Sequence, residues 1–280
     1  MMQRLSGWRH YLGAIWAIFR KDVLVFLSYP MNAVMRLIEP VMWITPVYFL
    51  SRAFAVDGRN IGLEAFSGTT DYMAFLILGS FISSFVSAVF WGMGYSLKNE
   101  MDAGVLESNW LAPVPVMVQL IGRSLYSLFI TVLNGVSIGL IVWLLFGFEI
   151  VGPLIPALLI MLPLLIALYG FGFGLAGVVL VTNNANNVID IVSNNITVLS
   201  GSQFPITVLP RPIMAISLAL PLTYAYDAIR GILLGTSTLM PLTQEVWLLI
   251  GFMLISFSLG YAVFRRVERH CRTLGTLSQH

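Results

Sequence analysis

Five long stretches of this chain contain no charged residue: 72–97, 124–148, 150–189, 191–210 and 246–264. A bilayer crossing needs about 20 predominantly apolar residues. Lipid cannot hydrogen-bond exposed backbone, so stretches of this kind are expected to be helices. The composition agrees: 58% of residues are hydrophobic and only 10% charged, against about 25% charged in soluble domains. Mean hydropathy is +0.87. No soluble domain fits in what remains, so residues 1–280 read as one all-α integral membrane domain. A net charge of +2 gives no sign of nucleic-acid binding. The single cysteine, Cys271, cannot form an internal disulfide and reads as a reduced cytoplasmic thiol. The apolar run 11–19 is short and meets Arg20, Lys21 and Asp22 at once, unlike a cleavable signal.

The pattern predicts six spans. Residues 8–29 mix Trp8, Tyr11 and Trp16 with Arg9, Arg20 and Lys21, which suits an interfacial helix in the headgroup layer. The first span is expected over 31–50, the fourth near 153–182 with a kink at its prolines, the fifth near 186–200 and the sixth over 246–264. Eleven of the fifteen basic residues fall before or inside span one, around the 98–115 loop, or in the 265–280 tail. By the positive-inside rule, both termini and that loop are cytoplasmic. Residues 201–231 contain two apolar pieces broken by Pro205, Pro210, Pro212 and Pro221, each too short to cross. That profile predicts an extracellular re-entrant hairpin, whose non-helical backbone must be covered by protein or face water.

The 98–115 loop is not generic connecting sequence. It can form an amphipathic helix flat on the membrane, with Val105, Leu106, Trp110 and Leu111 apolar and Glu100, Asp102 and Glu107 wet. Such a helix suits the grip of a soluble partner. In span five, Asn183, Asn187, Asp190 and Asn194 are spaced by four, three and four and share one helical face. Polar side chains in hydrocarbon are costly unless paired or wet. The stripe is therefore expected at a dimer seam or an aqueous pathway, with interhelical packing through amides as the competing reading. Arg36 and Glu39 are placed to pair in span one, Arg123 being the other partner open to Glu39. Asp227 and Arg230 repeat the same spacing. The aromatics Trp43, Tyr48, Phe49, Phe90, Trp91 and Trp143 read mainly as lipid-facing or interfacial anchors.

Enzymatic readings find little support. A phosphate-binding loop needs lysine followed by Ser or Thr after a glycine-rich run; Lys21 precedes Asp and Lys98 precedes Asn. His10, His270 and His280 lie outside the spans, so no histidine-based metal site is expected. An ion-coupled secondary transporter or channel using Asp190 is the main alternative, although the halves show no internal symmetry.

Three segments resemble a known family. Glu100-Met-Asp-Ala-Gly-Val-Leu-Glu107 with Leu111-Ala-Pro-Val114 is similar to the acidic, glycine-containing cytoplasmic motif of type-2 ABC exporter permeases. Leu199-Ser-Gly-Ser-Gln-Phe-Pro205 and Leu220-Pro-Leu-Thr-Tyr-Ala-Tyr-Asp-Ala-Ile-Arg230 resemble that family's signature before the last span, and Phe19-Arg-Lys-Asp22 with Tyr29-Pro30 its interfacial helix. The resemblance implies a permease that dimerises, as a homodimer by the simplest reading, and binds two cytoplasmic ATPase subunits, which carry the ATP and Mg. It implies export of a drug, lipid or lipid-linked glycan across a bacterial inner membrane. Glu100, Gly104, Leu106, Glu107 and Trp110 would belong to a coupling helix, and Pro205, Pro221, Tyr224 and Asp227 to an extracellular cap. Two features depart from the usual pattern: Trp110 stands where aliphatic residues are common, and the link 182–187 is amide-rich.

Overall fold

The computed structural model describes residues 8–31, 71–111, 114–146, 152–182 and 184–274, with scattered positions between 34 and 69. Every regular element among them is helical. Four helices are long and apolar enough to cross a membrane. The predicted first span, with Arg36 and Glu39, lies outside the described residues, as does Asn183.

Helix α1 (Trp8–Leu27) is amphipathic and buries no side chain fully. Its Ile18 lies against Gly122 and its Phe19 meets Phe129 edge-on, 5.6 Å between ring centroids. Helix α2 (Tyr72–Asp102) is the axis of the fold. Asp71 caps it, Oδ1 accepting from the Ala74 N–H at 2.9 Å. At 31 residues it is about 46 Å long, so it outreaches the roughly 30 Å hydrocarbon layer. Its central turn, Trp91–Tyr95, is π-helical. A Cβ on Gly94 there would stand 2.7 Å from the Ile189 side chain. Small residues thus let the neighbouring helices close on α2.

The short α3 (Leu106–Trp110) follows, then α4 (Val116–Phe146) and α5 (Leu154–Val179). Helix α5 is assigned as unbroken through Pro163. The expected fifth span is α6 (Ala185–Leu199), only 15 residues or about 22 Å, too short to cross alone. Because α2 is long, α6 still carries the chain from the level of Gly94 to that of Phe75, whose carbonyl shares a donor with Gly201 just beyond α6. Helices α7 (Arg211–Leu218) and α8 (Pro221–Leu234) follow, bent 87° to one another. The final helix is α9 (Leu242–Leu274).

The core gathers Ile82, Val89, Phe90 and Met93 of α2 with Leu164, Leu168 and Phe173 of α5 and Phe264 of α9. Phe90 is fully buried, so it is not a lipid-facing anchor as its sequence context suggested. The α5–α9 seam closes on glycine, since a Cβ on Gly170 would strike the Ser256 backbone and one on Gly260 would strike Gly170. One end of the bundle, the loop end, holds α3, the α1–α4 contact and the end of α9 with the buried Cys271. The other, the cap end, holds Tyr72, α7, α8 and the start of α9.

Candidate functional site

Three features lie along the bundle between these ends. At the loop end α2 stops in a Schellman motif: the Gly104 N–H donates to the Met101 carbonyl and the Val105 N–H to the Glu100 carbonyl, both at 3.0 Å. Gly104 has φ +66°, the left-handed geometry that favours glycine. Its place is fixed by this helix stop, because nothing lies within 4 Å of an added Cβ. Glu100 and Asp102 therefore belong to the last turn of α2, not to a separate flat helix. Asp102 is exposed and takes Lys98 Nζ at 2.5 Å.

Glu100 is not wet, as its amphipathic pattern predicted, but buried. It forms an ion pair with Arg123 of α4 and accepts from Asn109 Nδ2 at 2.6 Å. Arg123 is thereby engaged with Glu100; Glu39, the partner its sequence position left open, lies outside the described residues. Gln119 Nε2 donates to the Asn109 and Val114 carbonyls, both at 3.1 Å. This clamp fastens the loop to α4. Leu106 is buried beneath it, whereas Val105 and Leu111 turn outward, Leu111 being 86% exposed. Glu107 and Trp110 sit on α3, their side chains outside the described set. The loop is thus held by buried polar bonds yet presents apolar side chains outward.

The second feature is a groove of about 770 Å³ running from the middle of α2 toward the cap. Ser80, Ser83, Ser84 and Ser87 line one wall at spacings of three, one and three on α2. The facing wall is Ser127, Thr131 and Asn134 of α4. Asn194 of α6 closes one side, and Trp91 lies at its loopward limit. Asn187, Asp190 and Asn194 are all exposed on α6, so the predicted stripe faces outward from the protomer. Only Asn194 of the three reaches the groove.

The third feature is the cap. Helix α6 ends in a second Schellman motif, with the Gly201 N–H on the Val198 carbonyl at 3.0 Å and the Ser202 N–H on the Thr197 carbonyl at 3.3 Å. Gly201 has φ +87°. Arg230 of α8 is buried across this end, donating to the Gly201, Ser202 and Phe75 carbonyls at 2.7, 2.6 and 3.1 Å. Its guanidinium lies 3.5 Å from the Phe75 ring centroid. Asp227 has a different partner from the Arg230 its spacing suggested: its Oδ2 accepts from the Leu239 N–H at 2.6 Å. Pro221 opens α8 at its first position, where its missing N–H costs nothing. Tyr224 donates to the Leu218 carbonyl at 2.7 Å and stacks on Phe252. Pro205 and Asp227 line a cavity of about 260 Å³ beside Arg230. Ser83 Oγ and the buried Tyr226 hydroxyl, 2.6 Å apart, tie groove to cap.

The family model for ABC-2 type transporters matches residues 13–234, from within α1 to the end of α8. The chain belongs to the ABC-2 type transporter family. It is accordingly the membrane subunit of an ABC transporter, a multi-pass membrane protein that is not itself catalytic. Family membership implies association with an ATPase subunit. No curated protein matches the chain.

Within this ABC-2 subunit, the sequence pointed to the loop, stripe and cap but missed three elements that join them. Arg123 is one, the serine wall of α2 another, and the hydrogen bonding of Arg230 the third. The serine spacing was legible, since 80, 83, 84 and 87 fall on one helical face.

Proposed function

We propose that this ABC-2 subunit is the permease of an ATP-driven exporter, working as a homodimer with two cytoplasmic ATPase subunits by alternating access. The observation that carries the reading is the clamped loop. Force applied to Val105 and Leu111 passes through Glu100–Arg123 into α2 and α4, the helices whose facing walls form the groove. The loop needs no energy source of its own; it has to be stiff and to fit a partner.

The loop end faces the cytoplasm in this reading. Arg9, Arg20, Lys98, Arg123, Arg265 and Arg269 lie there, against Arg211 and Arg230 at the cap end, the asymmetry expected of a cytoplasmic face. Helix α1 and the end of α9 share that end, which supports an even number of spans with both termini cytoplasmic; the membrane of this reading is a bacterial inner membrane. The groove and the exposed face of α6 form one wall of the pathway and the dimer seam, and the cap closes its outer end. Exported compounds are amphipathic, with drugs, lipids and lipid-linked glycans as the classes.

Co-purification with candidate ATPases tests this. Val105→Asp with Leu111→Asp is expected to release the ATPase from a permease that keeps its elution profile and thermal midpoint. Transport driven by an ion gradient with no ATPase bound, and abolished by Asp190→Asn, overturns it.

A further inference from the structure

Groove chemistry restricts what it can hold. Among the described residues none of its lining side chains is charged. The ionisable member of the polar stripe, Asp190, lies one helical turn loopward of Asn194 and outside the groove. A charged group held against these walls gains no counter-charge from them. Serine and threonine hydroxyls and asparagine amides each both donate and accept; Ser83 and Ser84 donate to the Gly79 and Phe81 carbonyls and keep acceptor lone pairs. They complement a solute that does the same and carries no charge.

The loopward limit of the groove adds an apolar face. Trp91 is half-buried there, its indole packed against Tyr95 at 5.6 Å between centroids. It sits in the π-helical turn of α2, a local widening often found at functional sites. An indole offers a flat apolar surface with a single N–H donor at its edge. A pyranose ring offers the counterpart, a C–H face rimmed by hydroxyls. At about 770 Å³ the groove falls within the roughly 300–1,000 Å³ of small-molecule sites, enough for a headgroup of a few sugar rings.

We infer that the groove takes an uncharged polyhydroxyl headgroup, a short neutral glycan on an apolar anchor, in preference to an amphipathic cation or anion. The inference rests on the groove being the pathway, and it selects one class from those an exporter of this kind could carry. An occupant there also meets the cap end through Ser202 and Gln203, which line the groove, and Ser83 is bonded to Tyr226 of α8.

The test uses the full chain in lipid nanodiscs free of glycosidic detergent, with three probes sharing one alkyl tail: a maltotrioside, a trimethylammonium and a sulfate. The readout is tryptophan fluorescence that Trp91→Phe removes. The maltotrioside is expected to quench saturably, at least tenfold more tightly than either charged probe. Ser84→Ala with Ser87→Ala is expected to weaken it about tenfold without shifting the thermal midpoint. Equal or tighter binding of the trimethylammonium overturns the inference, the more so if Asp190→Asn abolishes it. No quenching by any probe, with Ser84→Cys cross-linking to a second copy, also overturns it and makes the groove a packed seam. Loss of ATPase association leaves this headgroup ranking intact, so failure of the exporter reading is distinguishable from failure of the substrate class.

Discussion

Arg230 shows what one buried cation does at the cap. Its guanidinium donates to three backbone carbonyls, two at the end of α6 and one in the first turn of α2. Carbonyls just past a helix C-terminus lack intrahelical partners and sit at the negative end of the dipole, so a cation there satisfies the Gly201 and Ser202 carbonyls while its third bond, to Phe75 in the first turn of α2, joins a third helix. Arg230→Met keeps much of the stem volume but leaves the Gly201 and Ser202 acceptors buried and unpaired, at about 1–3 kcal/mol for each that water does not reach. The expected loss is about 3 kcal/mol, read as a lowered midpoint of thermal unfolding in nanodiscs. Arg230→Lys should recover part of it, because one ammonium has donors but not the planar fork. A midpoint unmoved by Arg230→Met would mean that Arg230 does not hold these three helices together. No sequence pattern announces such a residue, because its partners are main-chain carbonyls reached only through the fold. Glu100 was misread for a related reason: its partner Arg123 lies 23 positions on, in another helix, and a local amphipathic pattern cannot see it.

Among the elements, the helices α2, α4, α5 and α9 were legible because a long uncharged stretch in lipid has one regular solution. Less legible were the places where helices stop or change pitch. Gly104 and Gly201 both end helices with left-handed geometry, Gly201 after an apolar stretch and Gly104 after the charged turn 98–102. What each stop does to the following segment depends on tertiary contacts. The seam between α5 and α9 was not legible at all, since glycine is common in membrane helices and only some glycines meet a neighbour. A Cβ on Gly260 would strike the Gly170 backbone and one on Gly170 the Ser256 backbone, whereas Gly251 on α9 has nothing within 4 Å of an added Cβ. The two environments predict opposite signs. Gly170→Ala should force the helices apart and lower stability by about 1–3 kcal/mol, the usual cost of overpacking. Gly251→Ala should be neutral or raise stability by about 0.5–1 kcal/mol, from backbone entropy alone. Parallel thermal unfolding of the two variants checks this, and equal effects would mean that the seam is not tight.

At the scale of the whole molecule, one face stands out as unfinished. Helix α6 turns Asn187, Asp190 and Asn194 outward beside a groove rich in hydroxyls, while exposed residues on α9 such as Leu254 and Ile255 are aliphatic. Lipid suits the second surface and not the first, because amides and carboxylates in hydrocarbon need partners or water. In the proposed homodimer a second copy meeting the first across α6 would remove the mismatch, pairing stripe with stripe and turning two open grooves into one enclosed, hydrated pathway. In that arrangement Asp190 faces water and costs little, and amides that do not pair across the seam help to line the pathway. Cysteine cross-linking decides between the faces, and the chain suits it, since Cys271 is buried and Cys271→Ser leaves a cysteine-free background. Asn187→Cys and Asn194→Cys are expected to give a covalent dimer in native membranes with a short bifunctional reagent, and Leu254→Cys to remain monomeric. The cross-linked fraction at position 194 should also change when the ATPase is locked closed by a non-hydrolysable nucleotide, because loop and groove are joined through α2 and α4. Cross-linking at 254 instead of 187 would place the seam on α9 and leave the polar stripe as packing between helices of one protomer and some other chain.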